Sequence, residues 1–227
     1  MPDVVIHGTG PNSSVEMQVD PTRSAGRVSI QPAEVNVKDG QILGGHYKTG
    51  FIGGALAGAL TAPNVLLQSR WVDTARVQEL QRITLGVLCT AFSSGISLDV
   101  ALYVVRGMTA TGSGTGSTTP TPTRAKGTMP ASQWPGNGEL RVHGTAALTA
   151  ATGGTLDASP FAYWVYQVTA VQQYNDKDFV REIELRGHPI TLVAGEGIIA
   201  RFETLNLPAS NTIKLVGTIE HTERTVL

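Results

Sequence analysis

The feature that most constrains the fold is a two-residue alternation of apolar and polar side chains, which recurs from residue 46 to the end of the chain. It is clearest in residues 198–203 and 213–220, where Ile, Leu and Phe alternate with Arg, Lys and Glu. Successive side chains of a β-strand point to opposite faces, so this period predicts strands with one buried and one polar face. Gly, Pro, Asn and Asp separate these runs about every ten residues. The chain is therefore predicted to be all-β: an antiparallel β-sandwich, jelly-roll-like, with very little helix.

Three segments interrupt this pattern. Residues 74–83 place Val77 and Leu80 at helical spacing in a helix-favouring run, so we expect a short helical turn at most, followed by a strand. Ala194–Gly197 separates two apolar runs and is expected to form a tight hairpin whose glycines adopt positive φ. Residues 50–63 are rich in Gly and Ala and too short to span a bilayer, which favours a strand and then a loop of small residues packed against a neighbour.

Residues 1–45 are predicted to form an extended N-terminal arm, and residues 46–227 the sandwich. The arm carries short apolar groups separated by Pro and Gly, too little to form a core alone, so we expect it to add strands to its own body or to another subunit. Residues 107–137 are rich in Gly, Ser, Thr and Pro, which predicts an insertion between strands that is functional or disordered. The apolar residues of the arm and insertion that we expect at a partner interface are Val4, Ile6, Val28, Ile30, Val35, Val37 and Trp134.

Composition excludes several classes of protein. Lys and Arg number 17 and Asp and Glu 18, only 15% of the chain, and the net charge is −1. Such a chain lacks the field that attracts nucleic acid or anionic lipid, so we expect neither direct nucleic-acid binding nor membrane binding. Cys89 is the one cysteine, which excludes an internal disulfide, and its apolar strand face predicts a buried, inert thiol. The first residues do not resemble a signal peptide, which predicts synthesis in a cytoplasm.

No arrangement of residues predicts an enzyme site, a cofactor site or a metal site. The five histidines lie in five different elements, and we expect His143 and His221 on the surface. The glycine-rich stretches lack the spacing and the following helix that phosphate binding requires. Residues 175–178, with Glu182 and Glu184 nearby, could offer oxygen ligands to calcium, but a polar hairpin tip is the favoured interpretation. The chain is accordingly predicted to be non-enzymatic, with no catalytic, cofactor or metal residues.

Four runs of the sequence resemble small virion structural proteins of tailed bacteriophages. They are His46–Leu56, Leu66–Trp71, Pro189–Arg201 and Thr218–Glu223. The resemblance covers residues 46–106 and 138–223, and it implies a β-sandwich subunit of the phage particle: a capsid decoration or cement protein, a minor head protein, or a neck or tail component.

Together, the low charge, the arm and the resemblance predict a capsid decoration or cement protein that binds the outside of the head and stabilises it. The expected partners are copies of itself, with a trimer favoured, and the major capsid protein or other virion proteins. Its expected location is the virion, with assembly in the bacterial host cytoplasm. The alternatives are a neck or tail component, or a receptor-binding tail module that recognises carbohydrate through the 107–137 insertion and Trp134. A carbohydrate-active enzyme would need two converging carboxylates, which the sequence does not reveal.

Overall fold

The computed structural model describes residues 45–93, 95–125, 130–134, 139–168 and 180–225. The regular elements in these residues are strands, and all of them belong to one compact unit, Gln41–Leu227. The strands are β1 (His46–Ile52), β2 (Leu56–Ala57), β3 (Asn64–Arg70), β4 (Arg76–Ala91), β5 (Ile96–Arg106), β6 (Thr123–Arg124), β7 (Glu139–Val142), β8 (Thr155–Leu156), β9 (Ala162–Val168), β10 (Val180–Glu184), β11 (Ile190–Leu192), β12 (Gly197–Phe202) and β13 (Thr212–Thr225). The described part of the chain contains no helix with the length and apolarity needed to cross a membrane.

Two antiparallel sheets form the sandwich. The front sheet has the strand order β10-β4-β13-β1-β6, with β11 also paired to β4 and β2 to β13. The back sheet has the order β7-β3-β12-β5-β8, with β9 also paired to β5. The predicted all-β sandwich is confirmed.

The strand pairing is nested along the chain, as in a jelly roll. β1 pairs with β13, β3 with β12, β4 with β10 and β11, and β5 with β9, so the first strand meets the last and each pair encloses the next. Both strands of each pair lie in the same sheet, and successive pairs alternate between the front and the back sheet. This is the connectivity of two interlocked Greek keys. The jelly-roll-like form that the alternation predicted is thus present.

The hydrophobic core lies between the two sheets. The inward faces of β4 and β13 contribute a row of fully buried aliphatic side chains, and β5 and β12 supply the opposing layer. Cys89 lies among them with 1% of its surface exposed, and burial raises the pKa of its thiol, as an inert core residue requires. The prediction of a buried thiol is confirmed.

The expected helical turn at residues 74–83 is wrong, because β4 continues as a strand from Arg76 to Ala91. Its pairing with β13 shifts register between Glu220 and His221, where the paired residues of β4 pass from Arg82 to Leu80. A bulge of this kind adds one residue to β4 and brings Leu80 and Ile83 to the same face. The bulge does not account for the helical spacing of Val77 and Leu80, because these two residues lie before it on opposite faces of β4, with Leu80 buried and Val77 partly exposed.

The turn predicted at Ala194–Gly197 is present, but it does not join a hairpin. Gly195 has φ of +83°, a value that glycine adopts without strain. The strands on either side belong to different sheets, β11 to the front and β12 to the back. The segment thus carries the chain from one layer of the sandwich to the other.

In the described part of the 107–137 insertion, β6 pairs with β1 of the front sheet and Trp134 packs against His221 of β13, whereas the segment of residues 109–118 packs against the outer face of the back sheet. This segment runs antiparallel to residues 142–152, with hydrogen bonds from Thr149 N to Ser113 O at 2.9 Å and from Thr145 N to Thr115 O at 3.0 Å. Below this pair, Met108 and Val105 join a small second hydrophobic cluster. The prediction that strand β5 has one polar face is therefore wrong, since its residues 98–105 are buried on both faces.

Candidate assembly interface

The outer face of the front sheet, which points away from the core, is the candidate site. Directly paired residues of antiparallel strands project from the same face, so the strand registers define rows that run across the sheet. Three successive rows take one residue each from β1, β13, β4 and β10, and we name them the apolar, middle and charged rows. They are Ile52, Val216, Gly86 and Val180; then Gly50, Thr218, Thr84 and Glu182; then Lys48, Glu220, Arg82 and Glu184.

The apolar row forms a groove between two exposed side chains. Ile52 is 66% exposed at one end and Val180 49% exposed at the other. Three interstrand spacings separate them, about 14 Å. Between them lie Val216, which is partly buried, and Gly86, which has no side chain, and the resulting groove has a volume of about 490 Å³. Exposed apolar side chains grouped around a depression are typical of an interaction surface.

The charged row is organised around the carboxylate of Glu220. It lies 3.3 Å from Lys48 Nζ and 3.1 Å from Arg186 Nη2, and it also accepts a short hydrogen bond from Arg82. Burial alone would raise the pKa of Glu220, but the hydrogen bonds from Arg82, Lys48 and Arg186 outweigh it and hold that pKa at about 2. Glu220 is therefore ionised at neutral pH, and its charge is matched inside the chain.

The two ends of the charged row remain open to solvent and carry opposite charges. The Lys48 side chain is 56% exposed on β1, and the Glu184 side chain is 47% exposed on β10. Exposed charges at the rim of an apolar patch set the orientation of a partner more than its affinity. This face thus combines an apolar groove with the exposed Lys48 at one end of the charged row and, at the other end, the exposed Glu184, whose carboxylate lies 3.4 Å from Arg186 Nε.

Trp134, expected at a partner interface, is buried inside its own chain. Its ring is 0% exposed and lies edge-on to the His221 ring, with 4.9 Å between ring centroids. The segment before it is held by Glu223, whose carboxylate accepts hydrogen bonds from Ser132 Oγ at 2.5 Å and from Gln133 N at 3.0 Å. Trp134 therefore presents no ring surface on which a carbohydrate could stack.

The expectation that His143 and His221 lie on the surface is wrong, because both are fully buried. Burial lowers the pKa of each, so both rings are neutral at neutral pH and the 3.5 Å contact from His221 to Glu223 is not an ion pair. His143 follows the last residue of β7, where the chain leaves the strand, so the alternation that assigned it to the polar face with Arg141 has ended.

His143 connects the two sheets. Its Nε2 accepts a hydrogen bond from Leu215 N of β13 at 3.1 Å, and its Nδ1 lies 2.9 Å from Gly144 O, to which the neutral ring donates. Gly53 makes room for the ring, since a Cβ there would lie 2.4 Å from His143 Nε2. The predicted loop of small residues packed against a neighbour, directly after β1, is thus confirmed.

Several predicted positions lie outside the described residues. These are the arm residues Val4, Ile6, Val28, Ile30, Val35 and Val37, together with the possible calcium loop at residues 175–178. Within the described ranges, no group of three or more His, Cys, Asp or Glu side chains is placed to hold a metal ion.

The residues of the outer face were not singled out from the sequence, although a signal was present. In β1, Lys48, Gly50 and Ile52 alternate with the buried Tyr47, Thr49 and Phe51. Only the pairing of β1 with β13, more than 160 residues later, shows that these outward residues continue into rows across the sheet.

Comparisons with known proteins give little further information. No protein-family model and no curated protein sequence matches the chain. Among solved structures, the chain is similar to VP17, a capsid protein of bacteriophage P23-77, with 12% sequence identity, coverage of 81% of this chain and 99% of that chain, and a TM-score of 0.18. A TM-score this low carries no weight for fold or function, so both rest on the strand connectivity and the contacts of the chain itself.

Proposed function

We propose that the chain is a non-enzymatic structural protein of a bacteriophage particle, and specifically a decoration or cement protein that binds the outside of the head and stabilises it. The observation that carries this proposal is the outer face of the front sheet, a surface four strands wide with an apolar groove along one row and charged side chains along another. The jelly roll supports it, because viral capsid subunits are among the proteins built on this fold. The resemblance of the sequence to phage virion proteins supports it further.

The sparse charge of the chain fits the same role. A monomer that keeps its whole surface in water needs charge to stay soluble, whereas a subunit whose surface is covered by neighbours does not. Only 15% of the residues are charged, and several charges of the described residues are buried in internal pairs. The expected partners are other copies of the chain, with a trimer favoured, and the major capsid protein or other virion proteins.

The test is binding to isolated heads that lack the protein. Purified chain should sediment with the heads and raise the temperature at which they release their DNA. Ile52→Glu places a charge in the apolar groove and should reduce both effects. Val165→Glu is the matched control, because Val165 is 41% exposed on β9 of the other sheet, and it should behave as the unmodified chain. A chain that neither binds nor stabilises heads would contradict the proposal.

The position on the particle is tested separately from binding. Gold-labelled chain should decorate heads at many copies in electron micrographs. Label confined to the neck or the tail would favour the alternative assignment as a connector or tail component.

A further inference from the structure

We propose that the outer face of the front sheet binds the same face of a second copy of this chain, around a two-fold axis that runs parallel to the strands between β13 and β4. This inference goes beyond the proposed function, because it names a contact that forms without any phage head. It rests on the order of residues within the three rows.

Rotation about such an axis superimposes each row on the same row of the partner. It places β1 over β10 of the second copy and β13 over β4, while positions along the strands are unchanged. In the apolar row, Ile52 then faces the partner's Val180, and Val216 faces the partner's Gly86. The side chain of Val216, in the floor of the groove, thus meets a position without a side chain, which leaves room for the two faces to approach.

The charged row becomes complementary to itself under the same rotation. Lys48 faces the partner's Glu184, and Glu184 faces the partner's Lys48, so the two exposed charges of each copy meet opposite charges. At the centre, Glu220 faces the partner's Arg82. All four charges have a partner within their own chain, since Lys48 Nζ lies 3.3 Å from Glu220 and Glu184 lies 3.4 Å from Arg186 Nε. Because Lys48 and Glu184 are about half exposed, they are the two that can accept a second opposite charge from the other copy.

Other orientations of the two faces lose this match. A shift by one strand brings Lys48 opposite the partner's Arg82, which sets like charges together. An axis perpendicular to the strands reverses the order of the rows and lays the charged row on the apolar row. Repulsion and desolvation disfavour both, so the charge pattern selects one register.

The size of the contact sets the strength that we expect. The three rows cover about 14 Å across the strands and about 14 Å along them. The resulting contact area, about 200 Å² on each copy, is well below the roughly 800 Å² per partner of a standard stable interface. The dimer should therefore be weak and form only at high concentration. Because the same face is proposed to bind the head, the dimer belongs to the free chain and has to open when the chain binds a head.

The experiment is analytical ultracentrifugation of the full chain over a concentration series from about 1 μM to about 1 mM. The unmodified chain should pass from monomer to dimer within this range. Ile52→Glu should weaken association at least tenfold, because it sets a carboxylate against the partner's Val180. Val165→Glu should leave association unchanged, and circular dichroism and urea unfolding should show that both variants are folded.

A charge exchange tests the register directly. Lys48→Glu and Glu184→Lys should each abolish the dimer, because each sets two pairs of like charges across the axis. An equimolar mixture of the two variants should form a one-to-one dimer, since every contact between different chains again joins opposite charges. A general defect in folding could not produce this recovery.

Four results would overturn the pairing: a full chain that is monomeric throughout the series, a mixture that fails to associate, equal loss of association in Val165→Glu, or a trimer that Ile52→Glu leaves intact. If the chain is monomeric but Ile52→Glu loses binding to heads, the face belongs to another virion protein; the pairing fails and the proposed function stands. If the chain dimerises as described but does not bind heads, the pairing stands and the proposed function fails.

Discussion

Glu220→Gln is expected to destabilise the fold by an amount that depends on pH. The pKa of Glu220 is about 2 in the folded chain, against 4.5 for an ordinary glutamate. One pKa unit corresponds to about 1.4 kcal/mol, so the three cations around this carboxylate contribute up to about 3 kcal/mol of stability. Because the pKa is lowered on folding, this contribution is fully present above about pH 4.5 and is lost as the pH falls towards 2.

The amide variant lacks this contribution at every pH. At pH 7 it should unfold with a free energy up to about 3 kcal/mol below that of the unmodified chain, and the difference should shrink towards zero near pH 2. Urea unfolding followed by tryptophan fluorescence measures this, since Trp71 and Trp134 are fully buried and report the loss of the core.

Glu182→Gln provides the matched control on the same face. Glu182 is half exposed and has one ion pair, with Arg82 at 3.7 Å, so its loss should cost less than about 1 kcal/mol. A difference between the Glu220→Gln variant and the unmodified chain that stayed constant from pH 7 to pH 2.5 would refute the reasoning, because it would show that the carboxylate acts through shape and not through charge.

Three further outcomes follow from the described contacts. His143→Leu should lower the free energy of unfolding by about 2–4 kcal/mol, because Leu215 N and Gly144 O lose their hydrogen-bond partner. His188→Leu, at an exposed position, should change this free energy little. Urea unfolding of both variants makes the comparison. Gly144→Ala should loosen the paired insertion and speed its proteolysis, since a Cβ there would lie 2.0 Å from Thr115 O, whereas Gly187→Ala meets no atom within 4 Å and should not. The Cys89 thiol should react with a thiol reagent only after unfolding, because it is buried and its pKa is raised.

The strands and the fold class could be predicted because the two-residue period is a local property. Residues 213–220 alternate as predicted, with Ile213 and Leu215 buried and Lys214 partly exposed. Turn residues placed the ends of most strands, and the number of strands made a sandwich the simplest closed arrangement. A jelly roll then follows from nested pairing of these strands.

What could not be predicted depends on contacts between distant parts of the chain. The bulge in β4, which brings Leu80 and Ile83 to the same face, is visible only in the pairing of β4 with β13. His143 is polar, but the backbone N–H of Leu215, 72 residues away, satisfies it in the core. The composition of the insertion likewise predicted that Trp134 contacts a partner. Its actual position, beside the ring of His221, depends on how the insertion folds. Residues whose partners lie far along the chain, polar or aromatic, are therefore the ones that composition and period assign wrongly.

The structure shows where the few charged side chains of this chain lie, and several of them are buried. Among the described residues, four carboxylates are buried: Glu79, Asp99, Glu220 and Glu223. Because Asp99 accepts hydrogen bonds from backbone N–H groups and Glu220 and Glu223 pair with arginines, these charges stabilise the fold and do little for solubility. The surface is thus less charged than the 15% of the composition suggests. On the outer face of the front sheet, the exposed Lys48 and Glu184 lie at opposite ends of the charged row, and in the proposed pairing each meets the opposite charge of the second copy, which favours one register.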